Sequence, residues 1–174
     1  KAIHSPNTGI VDYTAVADAI SVELLEKGAQ LLTGTQVLSV DERDGHMYMN
    51  TTSGELSADW LINCAGLHAD VLAAKMGLRT GMQIIPFRGE FFSLKPDKSN
   101  LVKGLIYPVP DPDLPFLGVH FTRRIDGSVE AGPNAVLSLA REGYRKTDIN
   151  ARDLAGVLAF PGFWRMSSTH WATG

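Results

Sequence analysis

The sequence predicts an α/β layer followed by an α+β region whose sheet is mostly antiparallel. Three observations point there. One amphipathic helix precedes a strand meander, apolar positions then recur in short runs from about residue 80, and turn residues separate those runs. The 174 residues are enough for one ordinary domain or two small ones with a real apolar core. The change of pattern divides them into 1–80 and 81–174.

Residues 4–9 are rich in turn formers. Asp12 reads as the cap of a helix on which Val16, Ile20, Leu24 and Leu25 follow helical spacing. Asp18, Glu23 and Glu26 lie on the opposite stripe, so one face is expected wet and the other packed. Lys27 and Gly28 close the helix. Residues 31–40 carry the β-branched Thr33, Thr35, Val37 and Val40 and are expected as a strand. Residues 41–45 turn it, 47–52 return, and 56–62 complete an antiparallel meander after Ser53 and Gly54.

The meander runs into the stretch 58–70, around which the chain is organised. Leu61 and Ile62 read as a short apolar strand that ends in the small residues Asn63, Cys64, Ala65 and Gly66. A turn poor in side chains lets a backbone come close to something bulky. Residues 67–76 are expected as a short helix ended by Gly77.

Beyond Thr80, Met82, Ile84 and Ile85 lead into a strand bent near Pro86 and Gly89. Residues 95–100 are a polar loop, and 105–109, 116–122 and 128–131 are three more strands. Residues 132–134 are a turn, 135–141 a short helix at most, and 143–147 a loop. Asp148 to Asn150 precede a helix over 151–160, which Pro161 and Gly162 end. Residues 163–174 show no assignable period.

At 44% hydrophobic and 20% charged residues, the chain is globular rather than disordered. A formal charge of -3, without a basic stripe, argues against a nucleic-acid partner. It does not exclude an anionic substrate, which responds to local charge. Cys64 is the one cysteine, so there is no intrachain disulfide and no thiolate metal cage, which fits a reducing compartment. No apolar run approaches membrane-spanning length, and the first residues lack the apolar segment of a signal peptide. The expected location is the cytoplasm, with peripheral attachment to the inner face of a membrane as the alternative. Both ends are expected to be cut from a larger protein, because the apolar pattern starts almost at once and 171–174 contain no terminal element.

The five histidines form no close ligand set, so no metal is expected. There is no G-x-S-x-G, no G-x-G-x-x-G and no Walker sequence, so a self-contained nucleotide domain lacks its phosphate loop. What remains is Arg88, Tyr107, His120 and Arg123, set among the apolar positions of the later strands, which one sheet face would bring together. An arginine fork suits a carboxylate, and a histidine suits removal of a hydroxyl proton. Against this, Arg123 beside Arg124 at a hairpin end is more often solvated, and Tyr107 before Pro108 also reads as packing.

Several runs together carry a resemblance. They are Asn63-Cys64-Ala65-Gly66-Leu67-His68-Ala69-Asp70, Pro86-Phe87-Arg88-Gly89-Glu90-Phe91 and Gly118-Val119-His120-Phe121-Thr122, with 5–13, 132–136 and 143–145. In this order they resemble the FAD-dependent oxidoreductases of the D-amino-acid oxidase and glycerol-3-phosphate dehydrogenase superfamily. Within it the match is to the L-2-hydroxyglutarate oxidase or dehydrogenase family, over nearly the whole chain.

The resemblance implies an incomplete FAD-binding layer over 1–80 and a C-terminally truncated substrate domain over 81–174, whose sheet covers the flavin ring. It implies that the backbone around Thr35 and Val37 passes the adenine, that Ala65 and Gly66 approach the cofactor, and that His68 lies near the flavin. His120 and His68 are then the catalytic candidates, and Arg88, Tyr107 and Arg123 the substrate-binding ones. The implied reaction oxidises a small 2-hydroxy dicarboxylic acid to the 2-keto acid, with oxygen or a quinone-linked carrier as the electron acceptor. Without a phosphate loop, these residues alone are expected not to retain FAD, although the full-length parent does. The alternatives are a related flavin oxidase of an amino acid or of glycerol 3-phosphate, and a non-catalytic scaffold module that kept the fold.

Overall fold

A computed structural model describes residues 2–110, 112 and 118–170. In chain order the elements are α1 (Tyr13–Glu26), β1 (Val37–Arg43), β2 (His46–Thr51), β3 (Gly54–Ala58), α2 (Ala69–Lys75), β4 (Phe87–Ser93), β5 (His120–Arg123), β6 (Val129–Leu137), α3 (Ala151–Ala159) and α4 (Pro161–His170). Short 3-10 helices cover Gly66–His68 and Pro96–Leu101. Mixed helices and two antiparallel-paired sheets agree with the expected fold class. No helix among the described residues is long and apolar enough to cross a membrane.

The chain folds as two compact units, neither continuous in sequence. One contains Lys1–Leu31 and Phe87–Val136, the other Leu32–Pro86 and Leu137–Gly174.

In the first unit, Asp12 caps α1 as expected, its Oδ1 accepting the amides of Thr14 at 2.9 Å and Ala15 at 3.3 Å. The apolar stripe of α1 departs from the expectation of a packed face. No residue of α1 is buried, and Ile20 and Leu25 are more than half exposed. Helical spacing defines a stripe but supplies no partner for it.

The sheet of this unit has the order β4-β6-β5. β5 and β6 pair antiparallel, with His120 opposite Gly132 and Arg123 opposite Val129. Val129 is fully buried, and its carbonyl accepts the Leu94 amide at 2.8 Å. The expected strand over 105–109 is reduced to one bridge, Ile106 with Phe121. Pro108 and Pro110 have no N–H to continue the ladder. The expected turn at 132–134 and helix from 135 are instead strand, because β6 pairs through to Leu137. The polar loop at 95–100 is a 3-10 helix with Pro96 in its first turn. The first two residues of the expected 116–122 strand lie outside the described residues.

In the second unit, β1, β2 and β3 form the expected meander. Val40 faces Met49 across the ladder, and both are buried, which fixes the inner side of this sheet. Pairing begins at Val37 rather than at residue 31, after a turn at Thr33 and Gly34.

Leu61 and Ile62 are not a strand. β3 stops at Ala58, and Trp60 and Ile62 are 87% and 84% exposed. Asn63 accounts for the difference. Its Nδ2 donates to the Ala69 carbonyl at 2.8 Å and its Oδ1 accepts the Ala65 amide at 3.2 Å, a local alternative to strand pairing.

α3 is capped by Asn150, whose Oδ1 accepts the Arg152 and Asp153 amides at 3.0 and 3.1 Å. Pro161 ends α3 and opens α4, an element the Trp- and Ser-rich sequence concealed. Residues 171–174 of that stretch lie outside the described residues.

Candidate functional site

His120 opens β5 and is 8% exposed. Its Nδ1 lies 3.0 Å from the Gly118 carbonyl oxygen. A carbonyl only accepts, so Nδ1 carries the proton and donates, and in the uncharged form of the ring the lone pair is then on Nε2. Tyr107 stacks on the imidazole, with centroids 4.4 Å apart and an 18° interplanar angle. Phe91 of β4 meets it edge-on at 6.4 Å and 77°. The bridge between Ile106 and Phe121 sets Tyr107 beside His120.

Gly132 of β6, opposite His120, makes the Phe91 contact possible. A Cβ there would lie 2.7 Å from Phe91 Cδ1 and 2.9 Å from the Glu90 carbonyl oxygen. Sequence reasoning placed Phe91 in a strand and Gly132 in a turn and gave neither a role. The available signal was the adjacent pair Phe91 and Phe92 on a short strand, which must send one ring to each side.

The two candidate arginines are engaged differently. Arg88 Nη2 donates to Glu90 Oε1 at 2.9 Å, with the side chains 14% and 31% exposed. Strand alternation sets this pair on one side of β4 and Phe91 on the other. Arg123 Nη1 donates to the carbonyls of Val102 at 3.1 Å and Ser99 at 3.4 Å, which fastens the end of the 3-10 helix to β5. The structure thus brings Tyr107 to His120, leaves Arg88 with Glu90 and gives Arg123 two backbone acceptors.

The remaining candidates belong to the other unit. Thr35 shares a hydrogen bond with Ser53 at 3.0 Å, and the Val37 carbonyl accepts Lys75 Nζ at 3.2 Å. Gly66 opens a 3-10 helix at φ +52, and among the described residues none beyond its chain neighbours has an atom within 4 Å of where its Cβ would stand. His68, half exposed, pairs through Nε2 with Glu142 Oε1 at 2.7 Å. His68 and Glu142 border an open depression of about 600 Å³, with Thr147, Asn150 and Asp153.

Arg141, which also lines this depression, grips Asp70 with both guanidinium nitrogens. Burial pushes the Asp70 carboxyl up, but hydrogen bonds from Arg141 and the Ile84 amide, with the arginine's charge, hold it below the usual carboxylate range. Neither this pair nor Glu142 was singled out from sequence. Their partners are more than seventy residues apart, and no local pattern reports such a pairing.

Residues 1–171 match the model of the family described as FAD dependent oxidoreductase. The chain belongs to that family. Among its FAD-dependent relatives, the chain is 48% identical to an L-2-hydroxyglutarate dehydrogenase of Indibacter alkaliphilus, over 99% of this chain and 44% of that protein. It is 41% identical to the mitochondrial L-2-hydroxyglutarate dehydrogenase of Homo sapiens, over 99% of this chain and 40% of that protein. The chain thus spans less than half the length of these relatives. Among solved structures it is similar to glycine oxidase from Geobacillus kaustophilus, with a TM-score of 0.50 and 19% identity over 86% of this chain and 38% of the other, a likeness of fold.

Proposed function

We propose that the full-length protein containing this chain uses FAD to oxidise L-2-hydroxyglutarate, or a similar 2-hydroxy dicarboxylate, to the 2-keto acid. The observation that carries the reading is His120, a buried imidazole whose Nδ1–H is committed to a carbonyl and whose Nε2 is therefore the basic atom. The similarity to L-2-hydroxyglutarate dehydrogenases supports the substrate class.

The residues fit one edge of a flavin nucleotide. The turn at Ala65 and Gly66 offers exposed backbone with room beside Gly66, and Thr35 and Val37 add half-buried backbone at the start of β1. No G-x-G-x-x-G occurs in the sequence, so the diphosphate would be held by residues outside this chain. When bound, FAD supplies the acceptor for the hydride that leaves the substrate carbon.

The chain's own part is proton handling and positioning. His120 Nε2 takes the hydroxyl proton as the carbon loses hydride, so the carbonyl forms with both electrons and the proton accounted for. His120 has this role rather than His68, which is half exposed and already paired with Glu142. Tyr107 backs the imidazole of His120, and Arg88, whose fork suits a carboxylate, divides between that role and Glu90 on the side of β4 away from Phe91. Arg123 acts on the site through the 3-10 helix it fastens. In this reading residues 1–80 serve the cofactor and 81–174 the substrate, and oxygen or a quinone-linked carrier takes the electrons onward.

The test is anaerobic mixing of the purified full-length protein with L-2-hydroxyglutarate, an amino acid and glycerol 3-phosphate in turn. Bleaching of flavin absorbance by the hydroxy acid alone is the expected result. Bleaching by either of the other two, or no flavin in the protein, overturns the proposal.

A further inference from the structure

We propose that Phe91 and Tyr107 are positioning residues whose rings hold the imidazole of His120 in the one orientation that donates Nδ1–H to Gly118 and presents Nε2. Gly132 supplies the gap through which Phe91 reaches it. The inference rests on the proposed role of His120 and adds what keeps that ring in place.

Three observations combine. The hydrogen bond to Gly118 fixes one edge of the imidazole, and a single bond leaves rotation about its own axis. The Tyr107 ring, nearly parallel at 4.4 Å, blocks rotation on one face, and Phe91, nearly perpendicular at 6.4 Å, bounds the ring from another direction. The third is a shape argument. Phe91 is 44% and Tyr107 52% exposed, while the histidine they wall in is 8% exposed. These rings shield His120 more than they bury themselves. At Gly132 any side chain would collide with the Phe91 ring and with the Glu90 backbone, so residue 132 controls whether that wall closes.

Tyr107 therefore works through its ring. Its hydroxyl is not what positions His120, which separates this role from that of a hydroxyl donor to substrate. A neutral imidazole released from its walls would lose the Gly118 bond part of the time and populate the other tautomer, with Nε2 protonated and no longer basic. Turnover falls in proportion, while substrate affinity, set elsewhere, changes little.

The experiment uses the full-length flavoprotein and the variants Tyr107→Leu, Tyr107→Phe, Phe91→Leu, Gly132→Ala and His120→Ala. Tyr107→Leu and Phe91→Leu should each lower kcat about 3- to 10-fold, the range an aromatic pair accounts for. KM and flavin content should move less than twofold, on the order of the error of such measurements. Tyr107→Phe should recover most of the loss. Imidazole 15N NMR should show protonated Nδ1 and unprotonated Nε2 in the wild type, and a mixture of tautomers in both leucine variants. Gly132→Ala should show the same mixture, and the two wall variants keep the test decisive if it folds poorly.

Tyr107→Phe losing as much as Tyr107→Leu would overturn the inference, as would leucine variants with wild-type kcat or an unchanged tautomer. If His120→Ala retains wild-type kcat, the assignment of His120 itself has failed. If only the wall variants are silent, that assignment survives and this inference alone falls.

Discussion

Arg141 lays Nη1 on Oδ1 of Asp70 at 2.6 Å and Nη2 on Oδ2 at 3.1 Å, across 71 residues of sequence. Arg141 Nη1 also donates to the Leu67 carbonyl, and Asp70 Oδ2 accepts the Ile84 amide at 3.0 Å. The Arg141 amide donates to Asp153 of α3 at 2.8 Å. One carboxylate thus joins α2, the approach to β4 and the segment before α3. Both side chains are close to nine-tenths buried, so losing one partner strands the other away from water. Asp70→Asn or Arg141→Leu in the full-length protein should each cost about 2–4 kcal/mol by chemical denaturation. A loss within error of zero would show that the pair only decorates the surface.

The same carboxylate predicts an acid limb. Its folded pKa is depressed, so between the folded and unfolded values the unfolded chain binds more protons and stability rises with pH. The contribution is complete above the unfolded value of about 4 and is lost as pH falls through the folded value. Melting temperatures across that range should fall more steeply for the wild type than for Asp70→Asn. Parallel curves would remove Asp70 from the acid response.

Arg88 has two competing roles, substrate anchor and partner of Glu90, and kinetics separates them. Arg88→Lys keeps the charge and loses the fork. For an anchor, KM for the hydroxy acid should rise about 5- to 30-fold, the loss of one charge-assisted bond, with kcat and melting temperature nearly constant. A lowered melting temperature with unchanged KM would assign Arg88 to Glu90 and to the structure of β4.

What the sequence disclosed was local. The Asp12 cap, the helix after Asn150 and the meander turns each depend on residues a few positions apart, where spacing is informative. Tyr107 became part of the His120 group through a single bridge, and Arg123 took its acceptors from residues more than twenty positions away. Neither leaves a mark in periodicity. Leu61 and Ile62 misled because an apolar pair looks the same in a strand and in an exposed segment. Asn63 side-chain bonding decided between them. The stripe on α1 misled in another way, since amphipathic spacing reports a face and not whether anything covers it.

The cap of α1 is open to a direct check. Asp12→Ala leaves the Thr14 and Ala15 amides without their acceptor and should cost about 1 kcal/mol of local helix stability, while Asp12→Asn should retain most of it. Hydrogen exchange at those two amides reports the difference. Because no residue of α1 is buried, exchange should quicken over the whole first turn, not at one site. Unchanged protection in Asp12→Ala would mean that water replaces the carboxylate at no cost.

Gly66 separates conformation from space. Its φ of +52 lies where an L-residue with a side chain is strained by about 1 kcal/mol or more, and Asn tolerates that region better than Ala. Among the described residues, none beyond its chain neighbours has an atom within 4 Å of the added Cβ, so neither substitution meets a clash with them. A backbone approach by FAD would fill that volume, and any side chain would then compete with the cofactor. Gly66→Ala and Gly66→Asn should therefore both lower flavin content in the full-length protein, with Asn the more stable of the two apoproteins in a thermal melt. Flavin content is read from the absorbance ratio after purification in excess FAD. If Gly66→Asn carried a full complement of flavin while Gly66→Ala lost it, backbone conformation would be the requirement at this turn and close approach of FAD would be ruled out.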